Sequence, residues 1–301
     1  QYIPRKLIYL KSIKIFTSKT SIEEIQSYFQ KEKKPFIVKK IINPNIDLGF
    51  LFKKFKNEEI ISLNPNSDKE TLSVSELIFK IKNGEKYRLR ANTKLGNKIT
   101  QYIDTSFIDK IKNQKKHIFD YALSFGKTTR QETLFVSTKD CTFAKHAHVI
   151  SGLILHLNGE KTWYISNKKE PFFSIKYKSL LNPNPLYVTD KKPHQEIAFT
   201  LEPGDLLYMP AYWFHYTVSH STNISYSHFF TEPITYYLSK TLLMFTYQAI
   251  TNPIFSLIKA LRKEPEEHIY DRDDILRRCN KIRNDSERKI AKKFFKDNDY
   301  S

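Results

Sequence analysis

The sequence predicts a mostly β protein with helices: a sandwich or barrel of short strands over residues 126–232, an α/β region before it (1–125) and a helical tail after it (233–301). Three patterns predict this. From Glu132 onward short apolar runs alternate with turn residues, a spacing typical of sandwiches and barrels. Before that point helix-start signals mix with an extended run, and after Pro233 apolar residues recur at helical spacing.

In chain order, Ser21 and Glu24 have capping-box spacing ahead of Ile25, Tyr28 and Phe29. Pro35-Phe36-Ile37-Val38 reads as a strand, and Ser73 with Glu76 repeats the capping device before Leu77, Ile78 and Ile81. The expected barrel strands are Thr133–Val136, Val149–Leu157, Lys161–Ile165, Ile197–Leu201, Asp205–Met209 and Ile224–Phe230. In the tail, Leu238, Leu242, Phe245 and Ala249 define one helix, and Asn252-Pro253 restarts a second through Phe255, Ile258 and Leu261. Asp271 to Lys296 reads as a solvated, heavily charged helix.

Composition narrows the function classes. The 301 residues are 40% hydrophobic and hold only two cysteines, Cys141 and Cys279, so a disulfide scaffold is excluded and a reducing, cytoplasmic setting is expected. No apolar run is long enough to span a bilayer, and no short apolar start resembles an export signal. The net charge of +18 invites a nucleic-acid partner, but forty of the fifty basic residues are lysines scattered along the chain, whereas phosphate recognition favours clustered arginine. Phosphate loops, serine-hydrolase elbows and four-ligand zinc patterns are missing.

The chemistry starts at Lys145-His146-Ala147-His148. Imidazoles at i and i+2 project from one face of a strand and can chelate one metal. His215 supplies a third candidate at the end of Pro203-Gly204-Asp205-Leu206-Leu207-Tyr208-Met209-Pro210-Ala211-Tyr212-Trp213-Phe214-His215. Ligands so far apart in sequence converge only if the sheet folds back on itself, as in a small barrel.

These motifs resemble the JmjC-like cupin family of iron(II)- and 2-oxoglutarate-dependent oxygenases, over about Lys34 to Glu232 and most sharply between 132 and 232. That family carries a His-x-Asp or His-x-Glu pair, a Gly-x-Lys segment entering a strand, and a Pro-Gly-Asp segment running on to Trp-x-His. The counterparts here are His146-Ala147-His148, Gly159-Glu160-Lys161 and Pro203 to His215. The resemblance implies a double-stranded β-helix (cupin or jelly-roll) core and a non-haem iron dioxygenase, a hydroxylase of a protein, RNA or small-molecule substrate. It also implies that His146, His148 and His215 are catalytic metal ligands, that Lys161 binds the distal carboxylate of 2-oxoglutarate, and that the tail helices form a homodimer.

One departure matters: His148 stands where the family has a carboxylate. Three neutral imidazoles leave a bound ion its full double charge and favour nitrogen-loving metals such as zinc, copper or nickel. Iron remains the favoured ion, since three-His iron sites occur in other cupins that activate oxygen. Two alternatives stay open: a three-His metalloenzyme that does not use 2-oxoglutarate, and an inactive barrel retained as a binding or scaffold module. Of the remaining candidates, His228 lies where the family often has a polar residue near the cosubstrate. His156 and Cys141 read as core residues, Pro210 and Trp213 as holding the turn that aims His215, and Tyr212 as bordering substrate.

Overall fold

The computed structural model describes residues 13–63, 69–112, 130–141, 145–166, 186–187 and 196–246. Its N-terminal part begins with β1 (Lys14–Phe16), which pairs in parallel with β2 (Phe36–Val38) across the crossover helix α1 (Ile22–Glu32). Ser21 caps α1 by accepting from the Glu24 backbone N–H, and the helix ends at Lys33, whose φ of 50° turns the chain left-handed. Ile25 and Phe29, on one face, are fully buried. There follow α2 (Leu48–Phe55), β3 (Glu59–Leu63), β4 (Lys69–Ser73), α3 (Val74–Lys82), β5 (Arg88–Asn92), α4 (Thr93–Ile99) and α5 (Ser106–Lys112). At Ser73 both halves of the capping box form: its hydroxyl accepts from Glu76 N–H, and the Glu76 carboxylate accepts from Ser73 N–H at 2.7 Å.

The barrel strands are β6 (Arg130–Ser137), β7 (His146–Ala147), β8 (Ser151–Asn158), β9 (Lys161–Ser166), β10 (Leu186–Tyr187), β11 (Glu196–Leu201), β12 (Leu206–Met209), β13 (Phe214–Ser219) and β14 (Asn223–Phe230), before the helix α6 (Ile234–Lys240). They divide between two facing sheets, a jelly-roll arrangement. One has the order β1-β2-β12-β8-β14-β6-β5-β3-β4 and the other β10-β7-β13-β9-β11. The N-terminal strands thus extend the larger sheet rather than forming one of their own. Strand alternation gives that sheet two buried faces. On the outer one, Leu134, Val136, Leu153, Leu155, Tyr226 and Phe230 pack in the cluster that contains Ile25, Phe29 and Leu95 of the helices. On the inner one, Ile37, Ile154, Leu207 and Met209 meet Trp163, Ile165 and Leu201 of the smaller sheet.

Each expected barrel strand is present, with ends moved by at most three residues; β6 starts at Arg130 rather than Thr133, and β8 at Ser151 rather than Val149. The sequence places His215 at the end of the strand that the Pro203-Gly204 turn feeds; in the structure that strand, β12, ends at Met209 and His215 lies on a separate strand, β13. In the tail the continuous helix expected from Leu238 to Ala249 breaks at Thr241, and the helix resumes at 242–246. Of its stripe Leu238 and Leu242 are about half exposed, while Phe245 stacks on Tyr237 at 5.2 Å against the buried Tyr236, Tyr237 and Met244. The second tail helix, the charged segment from Asp271 and most of the loop from Asn167 to Lys192 lie outside the described residues. Among the described residues no helix is long and apolar enough to cross a membrane.

Candidate metal centre and polar pocket

Two turns set up the site. At the β8–β9 turn Gly159 has φ +73°, and a Cβ there would stand 2.2 Å from the Thr222 carbonyl oxygen. Only glycine fits, and Lys161 enters β9 two residues later. At the β11–β12 turn Gly204 has φ +92° with the Ile42 carbonyl oxygen where a Cβ would lie. The fully buried Asp205 carboxylate then accepts from the Glu202 and Lys40 backbone N–H groups at 2.9 and 3.1 Å and from Lys39 Nζ. This Asp belongs to the turn, not to the chemistry.

After β12 the chain makes a second corner at Pro210–Trp213. Tyr212 takes a left-handed φ of 61°, which is unusual for an aromatic residue, and its N–H donates to the His148 carbonyl at 2.7 Å. The corner is held from below by Glu232, fully buried, which accepts from Ser151 Oγ and Tyr208 Oη at 2.6 Å and pairs with Lys33 Nζ at 2.8 Å. Ser151 Oγ in turn accepts from Ala211 N–H at 2.8 Å, and Tyr236 Oη donates to the Ala211 carbonyl at 2.7 Å. Hydrogen-bonded ionised groups of this kind are short and strong, so the backbone that carries His148 and His215 is fixed from several sides. Tyr212 itself is buried against Tyr237, in the cluster that includes Ala147 and Met244, and does not border a substrate path as expected.

The three histidines converge. His215 on β13 stands directly opposite His146 on β7. β7 ends at Ala147, so His148 is one residue past the strand, yet its ring meets the other two. Ring centroids are 4.4 Å apart for His146 and His215, 4.7 Å for His146 and His148, and 5.5 Å for His148 and His215. One ligand nitrogen from each lies within 4.8 Å of the others, as a shared ion requires. His215 Nδ1 donates to the Trp213 carbonyl at 3.0 Å, which leaves Nε2 bare toward the centre. Burial pushes the His215 imidazole down to about 4, so it is neutral and ready to ligate. His148 is only half-buried and marks the open side.

Register places Lys161 on the same inward face. Along β9 and β13 the pairs His215–Ile165, Thr217–Trp163 and Ser219–Lys161 share that face, so Lys161 lies four residues deeper than the residue opposite His215. Lys161 is 5% exposed, and no described residue accepts a hydrogen bond from its ammonium. Burial, and then Arg88 nearby, pull its pKa down to about 7. Beside it His156, its Nδ1 3.0 Å from Ser225 Oγ and its Nε2 donating to the Gly159 carbonyl at 2.8 Å, is held neutral, at about 4, first by burial and then by Lys161. Buried polar atoms without a hydrogen bond among the described residues are Thr133 Oγ1, Trp163 Nε1, Ser219 Oγ and Asn223 Oδ1 at inward-facing positions, and Trp213 Nε1 at the Pro210–Trp213 corner. Each such atom costs about 1–3 kcal/mol when left unmet, and the inward-facing ones gather round an uncompensated cation. A multi-oxygen anion would complement the lysine ammonium, the indole N–H and the hydroxyls, whereas Asn223 Oδ1, an acceptor, calls for a donor.

His228 was expected near this pocket but faces the other way, its Nδ1 2.9 Å from Glu132 Oε1 in the outer layer. Cys141 is buried with Thr138, as expected. Trp163 and Ser219 were not singled out from the sequence. Counting inward by two from Lys161 and by four from His215 reaches both, once the strand assignments are known.

The donor set and the pocket both fit the groups the motifs imply: three imidazole nitrogens suit a divalent transition metal, and the buried lysine beside an indole N–H and hydroxyls suits a dicarboxylate. A family model described as the JmjC domain matches residues 106–238. No curated protein matches the chain.

Proposed function

We propose, from the match of residues 106–238 to the model of the JmjC domain, that the protein is a metal-dependent oxygenase, a hydroxylase using iron(II) and 2-oxoglutarate. The observation that carries this reading is the convergence of His146, His148 and His215 at one end of a barrel interior whose other end holds Lys161 without an acceptor. When bound, the iron and the oxo acid would let dioxygen serve as the oxidant, one of its oxygen atoms ending in succinate as carbon dioxide is lost from the oxo acid and the other in the hydroxyl group of the product. The chain's own residues do the rest. The three imidazoles hold the ion and leave open positions on it. Lys161, protonated when a carboxylate arrives, anchors the anion's far end and thereby aims its oxo-acid end at the histidines. Phe229, 5.9 Å from the His148 ring, and Phe135, 6.4 Å from Phe229, give the approach an apolar wall.

Purified iron-loaded protein should convert 2-oxoglutarate to succinate, with turnover rising when a substrate is found among peptides, RNA and small amines. Metal-loaded protein that forms no succinate with any of them would defeat this proposal. His148 supports a second reading, in which substrate binds the ion directly and 2-oxoglutarate plays no part, because three neutral ligands leave the ion one charge more positive than a two-His, one-carboxylate set. His148→Asp separates the two. Increased succinate formation favours the oxo-acid enzyme, and loss of all metal-dependent activity favours the three-His enzyme.

A further inference from the structure

We propose that the Trp163 indole N–H holds the pocket's anionic ligand, donating a hydrogen bond to a carboxylate oxygen between Lys161 and the histidines; this rests on the 2-oxo-acid reading above. Trp163 lies midway along the inward row of β9, two residues from Lys161 and two from Ile165, which stands opposite His215. Its ring centroid is 5.5 Å from that of His215, at a tilt of 34°. It is 8% exposed, and its Nε1 has no hydrogen-bond partner among the described residues; Trp213 Nε1 is in the same state, but at the corner before β13 and not on the row that carries Lys161.

The chemistry of the row points one way. An indole N–H can only donate, and so can a lysine ammonium. The His215 Nδ1 proton beside them is committed to the Trp213 carbonyl. Ser219 Oγ, directly across from Lys161, also has no partner among the described residues, and as a hydroxyl it can donate or accept. The indole N–H and the ammonium on the inward row of β9 can only donate, and a carboxylate, with about four lone-pair sites, can accept from both. Packing alone does not require the indole: phenylalanine would lie against His215 equally well and bring no unmet donor. Because Trp163 stands between the cation and the imidazoles, its hydrogen bond would fix the ligand's direction along the barrel, whereas Lys161 fixes its depth.

The test uses the full chain loaded with zinc, which is diamagnetic and redox-silent, and N-oxalylglycine, an unreactive analogue of 2-oxoglutarate. The two tryptophans give two indole signals in a protein labelled with 15N-tryptophan, and Trp163→Phe identifies which is which. Titration should move the Trp163 indole proton downfield. Trp163→Phe, checked for an unchanged melting temperature, should bind the analogue roughly tenfold more weakly by calorimetry while keeping its zinc content. Analogue binding with an unmoved Trp163 signal, or equal affinity in wild type and a folded Trp163→Phe, overturns the assignment and leaves the oxo-acid reading standing. Wild-type zinc protein that binds no analogue overturns both.

Discussion

The two faces of the large sheet are built from the same strands and differ in how they treat polar groups. On the outer face of β6, β8 and β14 the buried residues are apolar or fully partnered: Tyr226 Oη donates to Glu132, and His228 shares the same carboxylate. On the inner face of β6 and β14, one residue along each time, Thr133 Oγ1 and Asn223 Oδ1 go without partners, opposite Lys161, Trp163 and Ser219 of the small sheet. Unmet polarity is therefore no general fault of this core. Among the described residues it lies on the side where a metal and an anion would sit and at the Trp213 corner beside it, while the outer side holds the strands together.

That contrast breaks most sharply at the ligands. His215→Ala should abolish measurable metal binding, exceeding the roughly 100-fold loss typical when a ligand's supporting partner is removed, while circular dichroism stays that of a folded barrel. On the outer face Leu155→Ala should do the reverse. It should cost about 2–5 kcal/mol in denaturant unfolding and leave the metal affinity of the folded fraction unchanged.

Lys161→Met sharpens the comparison because its two effects oppose each other. Removing a buried, unpaired charge should stabilise the ligand-free protein by about 1–4 kcal/mol, and should end binding of 2-oxoglutarate. The pH dependence has a definite sign. Burial lowers the Lys161 pKa from 10.5 to about 7, so between those values the unfolded chain binds the extra proton and the native state does not. Stability of the ligand-free protein should therefore rise with pH from about 7 toward 10.5, and Lys161→Met should flatten that rise. Anion affinity should move the other way, strong below about pH 7 and falling above it. The smallest effect is expected at Thr133→Val, which replaces an unmet hydroxyl by a methyl group. Its unfolding free energy should stay within about 1 kcal/mol of wild type, unlike a similar change among the partnered groups outside.

Much of this was legible along the chain. The capping spacings at Ser21 and Ser73, the alternating runs of the barrel strands and the glycines at 159 and 204 depend on contacts within a few residues, and local physics expresses itself locally. The His-x-His pair and the run to His215 were visible as residue types at telling intervals. That His215 lies on a strand separate from β12 was not, because Trp213, Phe214 and Tyr216 give no alternation of polar with apolar. Nor could the sequence foretell that His228 turns outward to Glu132, or that Tyr212 is enclosed by tail residues rather than by substrate.

The sequence by itself determined which side chains were available for chemistry and the period on which each strand presents them. Only the tertiary structure decided which strands face each other, and with that the meeting of His215 with His146 and the burial of Lys161 opposite Ser219 and beside Trp163. The physical reason is range: alternation follows from the geometry of one backbone, whereas a shared ion or a buried charge depends on residues dozens of positions apart that only the packing of two sheets brings together.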